Sequence, residues 1–347
     1  MLYKNILKPV LFLFDPELVH NLFISMGEFL GRFSFTRYLV SLAYGYRGKD
    51  ISKTVDGVLY KTPFILSAGF DYNGRLTQIL PAISFGGVEI GSVTARACEG
   101  NPKPRLMRLV KSKSILVNKG LRNDGVDAII KRLQSKPKQD GFVIGVSIAR
   151  TNDKQSSTTD LGIQDYCYSF RRLNEENVGD FYTINISCPN AFGGEQFTTP
   201  ELLEKLLVEI KKIPSKKPVY VKVPINISWE QMEKLVDIVV SLNFSGIVVG
   251  NLNKKYEALD YRDEAPMEYR GGLSGKPCFD LSNEHIKNIK HKYPTGFTIV
   301  GCGGVMSPDD AQAKFKYGSD LIQLISGIIF EGPSLVKKMA KRYSQMQ

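Results

Sequence analysis

Eight short apolar runs, at residues 63–68, 87–93, 142–148, 182–187, 219–223, 246–250, 298–301 and 321–325, follow one another at intervals that mostly leave room for a helix. Each run is apolar nearly throughout and does not alternate, which marks strands covered on both faces. The intervals carry helical patterns. Leu202, Leu203, Leu206, Leu207 and Ile210 recur at helical spacing, Ser228 and Ser307 stand at N-cap positions, and Gly318 closes the segment that Ser307 opens. Eight β/α alternations in about 290 residues predict an α/β protein of the (β/α)8 TIM-barrel type. The rival, a doubly wound sheet, needs a G-x-G-x-x-G turn after its first strand, and none follows residues 63–68.

Ahead of the barrel lies an N-terminal amphipathic helical extension, residues 1–40. Residues 41–54 read as a connector, and residues 41–347 form the barrel unit. Leu7, Leu11 and Phe14 line one face of a first helix. Asp15 caps a second, with Pro16 at its first position, and Leu18, Leu22, Met26 and Phe29 recur along it. The apolar core "VLFLF" is too short for a signal peptide, and no run reaches the ~20 apolar residues a membrane-spanning helix needs. Two readings of the extension stand: a hairpin packed on the body, or a peripheral contact with a membrane surface.

The five cysteines, Cys98, Cys167, Cys188, Cys278 and Cys302, are scattered without CxxC spacing, and the three histidines have no partner ligands at useful spacing. No metal site and no disulfide framework is expected, and a reducing, cytoplasmic setting is. The net charge of +11 is spread along the chain without an arginine-rich tract, so no nucleic-acid surface is expected, while anionic ligands or an anionic membrane are.

In a barrel of this type the chemistry sits at the carboxyl ends of the strands. Three glycine-rich turns fall there or nearby: "GGLSGKP" at 271–277, "GCGGV" at 301–305 and "ISGIIFEGP" at 325–333. Together they can offer unobstructed backbone N–H groups as a phosphate cradle. Lys222 lies in the apolar run "VYVKV", where an unpaired ammonium is costly, so it is expected to meet an anion or a polar ring. Asn185, Asn190 and Asn251 bring carboxamides to strand ends, which suits a flat heterocycle with alternating N–H and C=O groups.

The ordered set "SAGFD", "VEIGSVT", "GNPKPRL", "NISCPN", "VYVKV", "GGLSGKP", "GCGG" and "LISGIIFEGP", from about residue 55 to 340, resembles the dihydroorotate dehydrogenases. The N-terminal helices are similar to those of the membrane-associated, quinone-dependent class. The resemblance implies FMN across the barrel mouth, with contacts at Ala68, Gly69, Ser92, Lys222, Gly250, Gly275, Gly303, Gly304, Ser326 and Gly327. It implies a dihydropyrimidine substrate held by Asn118, Asn185, Asn190 and Asn251. It implies Cys188 as the base that removes the C5 proton, and Gly193-Gly194 as the hinge of a loop closing over the substrate. It further implies a quinone path past His20 and Arg108, and a peripheral position at the cytoplasmic face of the membrane.

Several residues depart from the quinone-dependent pattern. Cys188 stands where that class has serine, as in the soluble class, and Leu121 and Ala191 replace phenylalanine and threonine. Tyr72 stands in place of the lysine that contacts the substrate carboxylate, and Gly91 at the soluble class's alternative lysine position. Val117 replaces an asparagine, Leu252 a threonine and Ile325 a tyrosine. Either Lys119 or Arg122 supplies the missing cation, or the substrate is another dihydropyrimidine or enone without the carboxylate. A binding protein that keeps only the cradle is a further alternative.

Overall fold

The structure, a computed structural model, describes residues 3–187, 196–260, 262–265 and 271–347. Eight parallel strands close a barrel: β1 (Phe64–Leu66), β2 (Gly87–Val93), β3 (Val143–Ile148), β4 (Phe181–Asn185), β5 (Val219–Val223), β6 (Gly246–Val249), β7 (Thr298–Cys302) and β8 (Leu321–Leu324). Closure is made by β8 on β1, where Ile322 stands opposite Phe64. These are the eight runs read from the sequence. Their ends shift by a residue or two because the outermost apolar residues turn into loops that pack rather than pair.

The amino-terminal half of the barrel interior is apolar. Ile65, Val143, Phe181, Tyr220, Val248, Val300 and Leu321 form one cluster there. A hairpin, Lys53–Val55 with Val58–Tyr60, plugs that end and adds Val55 and Tyr60 to the cluster. At the opposite end a small antiparallel sheet of Leu106–Leu109, Ser114–Val117 and Gly272–Leu273 rises over the mouth. Both pairings join strands too short to stand out from turns in the sequence.

Outside the barrel, the helices follow their patterns. In the helix Pro200–Lys211, Leu203, Leu206, Leu207 and Ile210 are buried and Leu202 is partly so. Each fully buried leucine contributes about 1.5–3 kcal/mol relative to exposure. The helix Trp229–Ser241 opens with a capping box between Ser228 and Gln231. Ser307 accepts from the Asp310 N–H at the start of Pro308–Tyr317, and Gly318 ends that helix at φ 114°, a conformation open to glycine at little strain.

In the extension, Tyr3–Leu7 and Lys8–Leu11 form short helical turns that end before Phe14. Helix α1 (Pro16–Arg32) follows, and the Asp15 carboxylate accepts from the Leu18 N–H at 2.8 Å, as the cap position requires. A third helix, α2 (Ser34–Tyr44), runs past residue 40 into the stretch read as a connector, after Phe33 breaks α1 with an extended backbone. Helix α1 turns Glu17, Ile24 and Gly31 to the body, while Leu18, Leu22, Met26 and Phe29 face outward. Gly27 and Gly31 let it lie close: a Cβ on Gly27 would stand 2.6 Å from Leu76. Of 21 exposed large apolar side chains among the described residues, 14 lie between Ile6 and Leu42. No described helix is long and apolar enough to cross a membrane.

Candidate cofactor and substrate site

Two adjoining cavities open at the carboxyl ends of the strands, of about 160 Å³ and about 80 Å³. They share Ala68, Lys222, Asn251, Leu252, Ser274 and Ile325. The smaller one is the glycine cradle, lined by Gly250, Gly275, Gly303, Gly304, Ser326 and Gly327. Among the described residues, the N–H groups of Gly303, Gly304, Ser326 and Gly327 donate to no acceptor of the chain. The glycines are also needed for packing. A Cβ on Gly304 would stand 2.5 Å from the Cβ of Phe279, and one on Gly275 would strike the Lys113 carbonyl. Free amides converging on a small space fit the phosphate of FMN.

Lys222 projects into both cavities from β5, and only 5% of it is exposed. It donates to Ser67 Oγ at 3.5 Å, and Ser67 in turn donates to Gln323 Oε1 at 3.1 Å. No carboxylate of the described residues pairs with it. The barrel floor beneath is polar: Glu89 on β2, Thr183 on β4 and Gln323 on β8 are fully buried. Branched apolar residues usually fill such a layer. Both Glu89 carboxylate oxygens, Thr183 Oγ1 and Gln323 Nε2 have no partner among the described residues. A lysine held in polar surroundings, with no carboxylate of the described residues within ion-pair distance, fits the edge of a ring that becomes anionic on reduction.

A chain of short hydrogen bonds fixes the wall across from the cradle. Ser92 Oγ lies 2.7 Å from Ser147 Oγ, and the Asn185 amide donates to Ser92 Oγ at 2.8 Å. The Asn185 oxygen accepts from the Ser187 hydroxyl at 3.0 Å, and Asn251 donates to the Ser187 carbonyl at 2.7 Å. The two carboxamides are thereby held in place beside the cavity, each with hydrogen-bonding capacity to spare. Cys188 follows Ser187 directly, but Cys188, Asn190, Ala191, Gly193 and Gly194 lie outside the described residues. Asn118 is not brought to the cavity. Its side-chain oxygen accepts from Asn101 at 2.7 Å, while its neighbours Val117 and Lys119 line the wall.

The far wall of the larger cavity comes from the extension. His20 packs edge-on against Phe70, 4.9 Å between centroids, and tilted against Tyr72 at 5.3 Å. Burial, with the nearby Lys119 charge, pushes its imidazole down to about 3, so the ring is neutral at physiological pH. Arg108 stands outside the lining residues; it donates to the Phe14 carbonyl at 2.6 Å and lies over the Phe12 ring at 4.7 Å. It fastens the first helical turns to the small sheet.

One residue the sequence reading passed over organises this wall. Glu17, 4% exposed, holds three cations on one carboxylate oxygen: Lys119 at 3.0 Å, Arg122 at 3.1 Å and Arg105 at 3.4 Å. Burial pushes the Glu17 carboxyl up. The Lys119 hydrogen bond and the charges of Lys119, Arg105 and Lys103 outweigh it, and its pKa lies below the ordinary value. Lys119 sits 5.1 Å from the Tyr72 ring centroid and is 6% exposed. Three cations against one carboxylate leave positive charge in excess, at a buried place, beside the cavity. The signal for Glu17 was its position three residues before His20, on the same helix face.

Comparison with known proteins agrees with this geometry. The family model described as Dihydroorotate dehydrogenase matches residues 50–346. A protein of Shewanella frigidimarina named Dihydroorotate dehydrogenase (quinone) is 33% identical over 99% of this chain and 99% of its own length. Its namesake in Christiangramia forsetii is 32% identical, over 98% of each chain. Among solved structures, that of DHODH from Eimeria tenella in complex with ferulenol superposes with a TM-score of 0.80 at 22% identity, over 96% of this chain and 91% of that one, which bears on the fold. From residue 50 to the C-terminal helix, and through the helices that precede it, this chain belongs to the dihydroorotate dehydrogenase family.

Proposed function

We propose that the protein oxidises (S)-dihydroorotate to orotate with bound FMN, passes the electrons to a quinone, and works as a peripheral protein at the cytoplasmic face of a membrane. The observation that carries the reading is the meeting, in adjoining cavities at the barrel mouth, of the free amides at Gly303, Gly304, Ser326 and Gly327, the uncompensated Lys222 and the fixed carboxamides of Asn185 and Asn251.

FMN, when bound, supplies the acceptor for a hydride from carbon. The chain's residues do the rest. Gly275, Gly303, Gly304, Ser326 and Gly327 hold the phosphate, and Ala68, Gly69, Ser92 and Gly250 bound the space for the ring. Lys222 holds positive charge where negative charge gathers. Asn185 and Asn251, with Asn190, hold the pyrimidine ring by its N–H and C=O edges. Cys188, as thiolate, takes the proton from C5 of dihydroorotate as the C6 hydrogen leaves with its electron pair, which produces the C5–C6 double bond of orotate. A thiol of ordinary pKa near ~8.5 does this best at mildly alkaline pH.

The substrate carboxylate needs a cation. Tyr72 occupies the place of the family's lysine, and Lys119 stands behind its ring in the same cavity wall, with Arg122 beside it. These two serve the carboxylate, sharing their charge with Glu17. Quinone enters between the extension and the barrel, past His20, Phe70, Leu106, Ile115 and Ile329. The outward apolar side chains of α1 and α2, flanked by exposed Lys4 and Arg32, rest on the membrane surface.

The test is anaerobic titration. The flavin of the purified protein is expected to bleach on addition of dihydroorotate and to recover its colour on addition of a soluble quinone. A flavin that stays oxidised would remove dihydroorotate as the substrate. Tyr72 favours a second reading, a dihydropyrimidine without the carboxylate; dihydrouracil bleaching the flavin faster than dihydroorotate would select it.

A further inference from the structure

One buried charge has no part in the site described so far. Lys314, in the helix Pro308–Tyr317, has none of its surface exposed. Its ammonium donates to Ser282 Oγ at 2.6 Å and to Asn283 Oδ1 at 3.0 Å, and lies 5.4 Å from the Phe279 ring centroid. No carboxylate of the described residues comes within ion-pair distance of it. Neutral dipoles alone rarely offset the removal of an ammonium from water.

The position of Lys314 supplies the reason. Ser282 backs directly on Gly303, where a Cβ would stand 3.2 Å from Ser282 Oγ. Phe279 backs on Gly304 in the same way. The ammonium thus sits one side-chain layer behind the two glycines that line the cradle and whose amides find no acceptor among the described residues. A buried cation behind a ring of free N–H groups is an arrangement for holding a dianion in front of them. Burial pushes the Lys314 ammonium down to about 8, which leaves it charged at neutral pH.

We propose that Lys314 is a positioning residue for the cofactor: its buried charge, acting through Ser282 and the Gly303–Gly304 turn, selects a flavin that carries a terminal phosphate over one that does not. The proposal rests on the FMN reading above. The rival account is that Lys314 only ties its own helix to Phe279–Lys292, through Ser282 and Asn283 near the start of that helix.

The two accounts part in the ratio of affinities for FMN and riboflavin, measured by fluorescence quenching on flavin-stripped full-length protein. In Lys314→Met and in Lys314→Gln, the second of which keeps hydrogen bonds to the helix, FMN is expected to weaken roughly ten- to hundredfold. Riboflavin is expected to change by less than about threefold, since it lacks the anion. Equal weakening of both flavins, or of neither, overturns the proposal. If the variants do not fold, the wild type decides. A buried charge keeps its preference for FMN between ~0.1 M and ~1 M salt, whereas a preference that collapses belongs to exposed lysines such as Lys276 and overturns the assignment. A wild type that binds no FMN at all would instead remove the functional reading on which the proposal stands.

Discussion

The two walls of the site are built on different principles. The cradle wall is made of backbone: glycines at 275, 303, 304 and 327 let chain pack on chain and leave amides facing inward. The opposite wall is made of side chains drawn from distant places, with Glu17 of α1 holding Lys119, Arg122 and Arg105 of the loops that precede the barrel's third strand. Backbone amides recognise any phosphate and tolerate little change. Side-chain charge is easily rearranged; Tyr72, Val117 and Leu121, where the sequence is expected to depart from the family pattern, line the larger cavity, while Leu252 and Ile325 line both.

That contrast can be pressed experimentally. The largest effect is expected from Cys188→Ala, which removes the proposed base. Turnover should fall by roughly 10²–10⁴-fold while the flavin spectrum is retained, as stopped-flow bleaching would show. Unchanged turnover would move the proton chemistry elsewhere. Next comes the cradle. Gly304→Ala forces a Cβ to within 2.5 Å of Phe279 at a residue of φ 74°, so flavin content of the purified protein should drop severalfold or more, with FMN weakened more than riboflavin, which has no phosphate for the cradle to hold. Lys119→Met tests the other wall: kcat/KM for dihydroorotate should fall about tenfold or more, with FMN affinity unchanged. A loss of FMN instead would erase the distinction between the two walls.

A smaller effect is expected from acid. The Glu17 pKa lies below its unfolded value, so its contribution to stability is complete above the ordinary carboxylate pKa near ~4.3 and is lost as pH falls through the depressed folded value. Below about pH 4, melting of the wild type should therefore approach that of Glu17→Gln, which lacks this dependence. The smallest effect is a flat line. With its imidazole held at about 3, His20 should add no inflection to the quinone step between pH 5 and 8.

The contrast also explains how much of the molecule could be read from its sequence. Strands such as 219–223 and helices such as Pro200–Lys211 are specified by local periodicity, and all eight barrel strands were found that way. The ten residues that the family resemblance implied for the cofactor, from Ala68 to Gly327, lie along the two cavities; the glycine turns among them were also legible as local features. The cluster at Glu17 joins residues 102 apart, at Lys119, and 105 apart, at Arg122, and no local pattern announces such a meeting. Asn118 was expected at the substrate, but the pairing of Ser114–Val117 with Leu106–Leu109 ends just before it, and its carboxamide turns to Asn101. Helix α2 was missed because a polar, glycine-bearing stretch begins within reach of its end, at Gly45.

The single carboxylate that α1 inserts among three barrel cations makes the extension part of the site's electrostatics. A version trimmed after residue 44 would keep Arg105, Lys119 and Arg122 and lose the one carboxylate that holds them together. It would offer buffer sulfate or phosphate a ready trap at the very doorway meant for substrate, so the purified fragment would look inhibited when it was merely unchaperoned.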